Sequence, residues 1–147
     1  MFPFLIQFLG LFAIALWVGA GAAIVFLVVP VIFERTNSRQ LAADLIGRII
    51  RRLNGYAWVA GPIALGAALF ELAAAPGASR TLTLKAALIG GMLALATYSR
   101  LVVAPEIRVS SPEHAQFGRL HAFSGLLLIA QTLLGAFAIG LTLMIGH

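Results

Sequence analysis

Phe4 to Phe33 reads FLIQFLGLFAIALWVGAGAAIVFLVVPVIF, and Glu34 to Arg52, directly after it, reads ERTNSRQLAADLIGRIIRR. The first stretch holds no charged residue and exceeds the roughly 20 apolar residues that cross a hydrocarbon core, so it can tilt or project beyond it. The second carries Arg35, Arg39, Arg48, Arg51 and Arg52. Basic residues gather on the side of a membrane that does not translocate them. An uncharged run closing on a basic segment therefore reads as a membrane span followed by a cytoplasmic connection.

The rest of the chain repeats that pattern. Further apolar stretches run over about 53–75, 82–104 and 120–145. The chain is 61% hydrophobic and 10% charged over 147 residues, whereas soluble domains carry about 25% charged residues. The apolar runs are continuous, not alternating, which argues against a membrane barrel. The expected fold is therefore all-α: one integral membrane domain, residues 1–147, built as a four-helix bundle. The formal net charge of +5 does not point to nucleic acid, because the arginines flank membrane segments, where lipid phosphate accounts for them. With no cysteine, disulfides, thiolate metal sites and cysteine nucleophiles are excluded. The N-terminal run has no basic start and outlasts a signal-peptide core, so it reads as a retained span.

The connections differ. Pro76-Gly77-Ala78-Ser79-Arg80-Thr81 is a tight turn that sets the second and third spans antiparallel. Residues 39–53 have apolar Leu41, Leu45, Ile49 and Leu53, with Ala42, Ile46 and Ile50 beside them, against polar Gln40, Asp44, Arg48, Arg51 and Arg52. That period predicts an amphipathic helix lying along the headgroups between spans one and two, with Ser38 as its N-cap. Arg39, Arg48, Arg51 and Arg52 would then contact lipid headgroups. Before the fourth span, Ser111-Pro112-Glu113 reads as a helix start. Arg100, Arg108 and Arg119 flank the third connection, whereas the second has only Arg80 and Lys85. The first and third connections are thus assigned to the cytoplasm of a bacterial inner-membrane protein, with both termini periplasmic.

Leu27-Val28-Val29-Pro30 is echoed by Leu101-Val102-Val103-Ala104-Pro105, and Arg52-Leu53-Asn54-Gly55-Tyr56 by Arg119-Leu120-His121-Ala122-Phe123. Two repeated helical hairpins, related about the membrane normal, would produce this. So would the resemblance of any apolar helices with basic inner ends.

Polar residues at membrane depth are costly and mark candidate sites. Arg100, His121, Asn54 and Tyr98 fall at comparable depth near the cytoplasmic side and would form a polar cluster for an anionic headgroup or substrate. Alternatively, Arg100 snorkels to phosphate and His121 bonds a neighbouring helix. Glu71 and Lys85 could pair at the outer end. Gln131 lies mid-span, where an amide bonds another helix. Gly19 with Ala23, and Ala86 with Gly90 and Ala94, have small-residue spacing that lets helices approach closely. His114 and His121 share a helix face, but metal paths use ligands from several helices, and methionine is confined to Met1, Met92 and Met144. No metal site or cofactor is expected. Haem on His121 is the one cofactor to test, although no second span supplies another histidine.

Leu16-Trp17-Val18-Gly19, Val29-Pro30-Val31-Ile32-Phe33, Tyr98-Ser99-Arg100-Leu101-Val102-Val103-Ala104-Pro105 and Phe117-Gly118-Arg119-Leu120-His121-Ala122-Phe123-Ser124 resemble the transmembrane protein 205-like family. Its bacterial members carry the domain of unknown function 4149. The chain is similar, more distantly, to copper-resistance D-type membrane proteins. The resemblance implies a four-helix membrane protein with no assigned activity. Arg51-Arg52-Leu53-Asn54-Gly55-Tyr56 departs from the Phe-Pro-x-Tyr-like segment of that family. No catalytic constellation is recognisable. The expected partners are membrane lipids and either other membrane subunits or further copies of the chain. Three roles are compatible with these residues: an accessory or self-associating membrane module, a small-molecule or ion transporter, and a haem or redox protein.

Overall fold

A computed structural model describes residues 2–74, 79–109 and 115–145. Every regular element in them is helical: α1 Phe2–Ala23, a π-helical turn Ile24–Val28, α2 Val29–Arg35, α3 Arg39–Ala74, α4 Ser79–Tyr98, a second π-helical turn Ser99–Val103, α5 Ala104–Val109 and α6 Ala115–Ile145. The short helices continue their predecessors, so the molecule is four long rods. All four are long and apolar enough to cross a membrane. α1 packs on α3 and α6, and α4 packs on the same two. The bundle is therefore a four-cornered, up-down-up-down arrangement with α1 and α4 diagonal to each other.

The interior is built from small residues. Ala13, Ala57, Ala64, Ala68, Ala96 and Ala138 are buried, while Phe4, Phe26, Leu126 and Phe137 are exposed. This inverts the soluble pattern and suits a lipid surround, where close backbone approach rather than water drives association. Four glycines sit where a methyl group would collide: Gly10 against Ala67, Gly21 against Thr132, Gly61 against Leu93, and Gly135 against Val18 and Met92. The small residues anticipated from spacing behave differently. Ala86 is buried, but Gly19 and Ala94 face outward, and a Cβ at Gly19 or Gly90 would meet nothing within 4 Å.

The expected interfacial helix over 39–52 is not a separate element. α3 runs unbroken from Arg39 to Ala74, so the arginine segment is a coaxial extension of the second span. The change from amphipathic to apolar composition at Leu53 marks a change of surroundings, and no residue there breaks the backbone. Even Pro62 is accommodated within the helix. Ser38 caps the start, accepting from Leu41 N–H at 3.4 Å. The inward face is one side of the expected apolar face, with Gly47 added. Ala42, Gly47, Ile50 and Leu53 are buried, whereas Leu41 and Leu45 stay exposed. Gly47 lets His121 of α6 close on α3. The predicted start at Ser111–Glu113, His114, and turn residues 76–78 lie outside the described residues.

Spans one and three share a device. Val29 N–H donates to Ile24 C=O, and Ala104 N–H donates to Ser99 C=O, each a wide i→i−5 turn. Pro30 and Pro105 follow one residue later. Proline lacks an N–H, and its ring clashes with the carbonyl four residues back. A widened turn before it relieves that clash. With the two prolines in register, buried Gly10, Ile14, Trp17, Gly21 and Ile24 answer in order to buried Lys85, Ile89, Met92, Ala96 and Ser99. Likewise Ala57, Gly61, Ala64, Ala68 and Glu71 of α3 answer to Ser124, Leu128, Gln131, Gly135 and Ala138 of α6. The two halves therefore share these ten pairs of buried positions.

Candidate functional site

The N-terminal half of α3 separates two grooves at the basic end of the bundle, and the structure does not gather the expected polar cluster into either. His121 belongs to one groove and Arg100 to the other. The dividing residues are glycines. A Cβ on Gly47 would lie 3.3 Å from His121 Nε2, and one on Gly55 would lie 3.3 Å from an Arg100 guanidinium nitrogen. Each glycine thus lets a long side chain lie flat across α3.

The first groove, about 770 Å³, lies between the end of span one, α3 and α6. Its walls include Val25, Phe33, Ile50, Phe117 and Ile129, with Arg39 and Gln40 among its few polar groups. His121 Nε2 donates to Ala43 C=O at 2.8 Å, and Phe117 packs on its ring at a centroid distance of 4.4 Å. His121 Nδ1 is buried without a protein partner. The second groove, about 730 Å³, lies between α3 and the end of span three. Arg48, Arg51, Arg52 and Arg100 all line it. Asp44 accepts from Arg48 at 2.6 Å. Arg100 lies over the Trp58 ring, 5.4 Å from its centroid, a cation–π contact. Of the four arginines assigned to headgroups, Arg39 lines the first groove and the other three line the second.

Asn54 and Tyr98 belong to neither groove. Asn54, fully buried, donates from Nδ2 to Ser99 Oγ at 3.0 Å, tying α3 to the π turn that carries Arg100. Tyr98 faces outward, edge-on to Phe123. At the opposite end the structure brings Glu71 and Lys85 together, 2.7 Å apart and both buried. Gln131 is buried mid-span with Oε1 unpartnered, as are Trp17 Nε1 and Asn54 Oδ1. Among the described residues, no group of three or more His, Asp or Glu is placed to hold a metal ion.

Ser99, Trp58, Gly47 and Gly55 had not been singled out from sequence. One signal was available for the groove: Arg48, Arg51 and Arg52 stand three and four residues apart, hence side by side on one helix. Nothing local in the sequence indicates that Arg100 would join them from span three.

No curated protein and no solved structure matches the chain. A family model described as domain of unknown function DUF4149 does match, over residues 12–113. That match takes in most of the first rod and all of the second and third, including both π turns and the arginine groove. The chain therefore belongs to the DUF4149 family.

Proposed function

We propose that the protein is a non-catalytic membrane module, an accessory subunit of a larger membrane complex or a self-associating bundle. In this reading it sits in the bacterial inner membrane, basic end in the cytoplasm and both termini periplasmic. The observation that carries it is the split use of small residues. Gly10, Gly21, Gly61 and Gly135 close the bundle from within, whereas exposed Gly19, Gly66 and Gly140 have open space where a Cβ would sit. Exposed glycines on an apolar rod are the surface on which a further helix packs closely. The resemblance of the span motifs to the transmembrane protein 205-like proteins is part of the same reading.

Purification in mild detergent followed by mass determination tests it. The expected result is a complex heavier than one chain, reduced to the monomer by Gly19→Leu, a change with free space in the isolated bundle. A strictly monomeric wild type without co-purifying subunits sinks the proposal. The two grooves at the basic end favour a second reading, a small-molecule or ion transporter. Unaltered flux in proteoliposomes of His121→Ala and Arg100→Ala variants removes it.

A further inference from the structure

We propose that the second groove binds one lipid bearing a phosphomonoester or diphosphate headgroup, its chain lying along Ile32, Leu45, Ile49 and Leu101. Four guanidinium groups from two separate rods line one recess, where Asp44 is ion-paired with Arg48 and also interacts electrostatically with Arg51. Asp44 makes its ion pair with Arg48 and not with Arg51, Arg52 or Arg100. Arginines fork onto phosphate oxygens through paired N–H donors. A monoanionic phosphodiester would answer one of the three remaining guanidinium charges. A phosphomonoester carries about −1.5 to −2 at neutral pH and matches them better.

Arg100 gives the second, independent argument. It sits inside the apolar rod of span three, at a π turn braced by the Asn54–Ser99 bond, with Trp58 beneath its guanidinium. An arginine exposed at the basic end of an apolar rod reaches headgroup depth, where an anion is its natural partner. The internal match between the halves supplies the third. The positions answering to Arg100 and Arg51 are Val25 and Gly118, both in the wall of the first groove. Simple placement of basic residues on the cytoplasmic side would charge both grooves alike. Here the charge is concentrated in one. The remaining wall of that groove is apolar, which suits an acyl chain better than a soluble phosphate. This assignment is independent of self-association, since every contributing residue belongs to one chain.

Native mass spectrometry of the full-length protein, exchanged into mild detergent with equal phosphatidic acid, phosphatidylglycerol and phosphatidylcholine, tests it. Phosphatidic acid should be retained at least tenfold over phosphatidylcholine and severalfold over phosphatidylglycerol. Arg100→Gln and Arg51→Gln should each lower that retention about tenfold, while Arg80→Gln, at the other end of the bundle, leaves it unchanged. Titration with phosphatidic acid should also change tryptophan fluorescence in the wild type and not in Trp58→Phe. Equal retention of the three lipids, or undiminished retention in both groove variants, overturns the site. Inorganic pyrophosphate displacing phosphatidic acid at equal concentration overturns the lipid as its occupant.

Discussion

Replacing Lys85 by Met strands the Glu71 carboxylate inside the bundle, and the cost can be worked from the geometry. The two groups are 2.7 Å apart, with side chains 4% and 9% exposed. At an effective dielectric of about 20, their attraction is about 6 kcal/mol. Desolvation costs several kcal/mol per ion, so the intact pair contributes little net stability. Removing one member forfeits the attraction and keeps the other member's desolvation, a loss of about 3–5 kcal/mol. Removing both, as Glu71→Leu with Lys85→Met, should bring stability back to within about 1 kcal/mol of wild type or above it. The fold already tolerates apolar residues there, because Gly10 and Ala138 occupy the matching positions of the other half. Reversible unfolding in mixed micelles of rising dodecyl sulfate fraction, followed by circular dichroism, measures all three variants. Lys85→Met within about 1 kcal/mol of wild type would refute the reasoning, since the carboxylate would then be reaching water.

The close-packed glycines make an opposite pair of expectations. Gly135→Ala drives a methyl group into Val18 and Met92 and should cost about 1–3 kcal/mol, whereas Gly140→Ala has open space and gains up to about 1 kcal/mol from helix propensity; the same unfolding assay reads both. Asn54→Ala and Ser99→Ala should each cost about 1 kcal/mol, and the double variant less than their sum; strict additivity would mean the two side chains do not bond. The chain has no cysteine, so single cysteines at Asn37 and Arg80 report sidedness directly. Asn37→Cys should react with an impermeant maleimide only from the cytoplasm and Arg80→Cys only from the periplasm, and the reverse labelling overturns the orientation.

The four rods were legible because lipid imposes one requirement, length of uncharged chain, that hydropathy reports directly. The unbroken passage through Arg52 and Leu53 was not legible for the same reason. Hydropathy reports the surroundings of a residue, and surroundings can change along a helix whose hydrogen bonds do not. The sequence shows which polar residues lie near the basic end, but their grouping depends on which side of α3 each neighbour packs. That choice turns on Gly47 and Gly55, whose meaning appears only once His121 and Arg100 lie across them. Glu71 and Lys85 were easier because a short turn leaves two antiparallel rods little freedom of register.

The paired π turns carry one more consequence. A residue removed from an ordinary helical turn rotates everything beyond it by about 100°, which in a four-cornered bundle would aim a whole rod's inner face at lipid. A π turn holds one residue more than an α turn needs, so a deletion within Ile24–Val28 or Ser99–Val103 can be absorbed where it occurs. These two short segments are therefore places where the chain length of a span can change without re-aiming the span. Variation in length among related chains should collect there, beside the prolines, and be absent from the tightly seated stretches around Gly21 and Gly61.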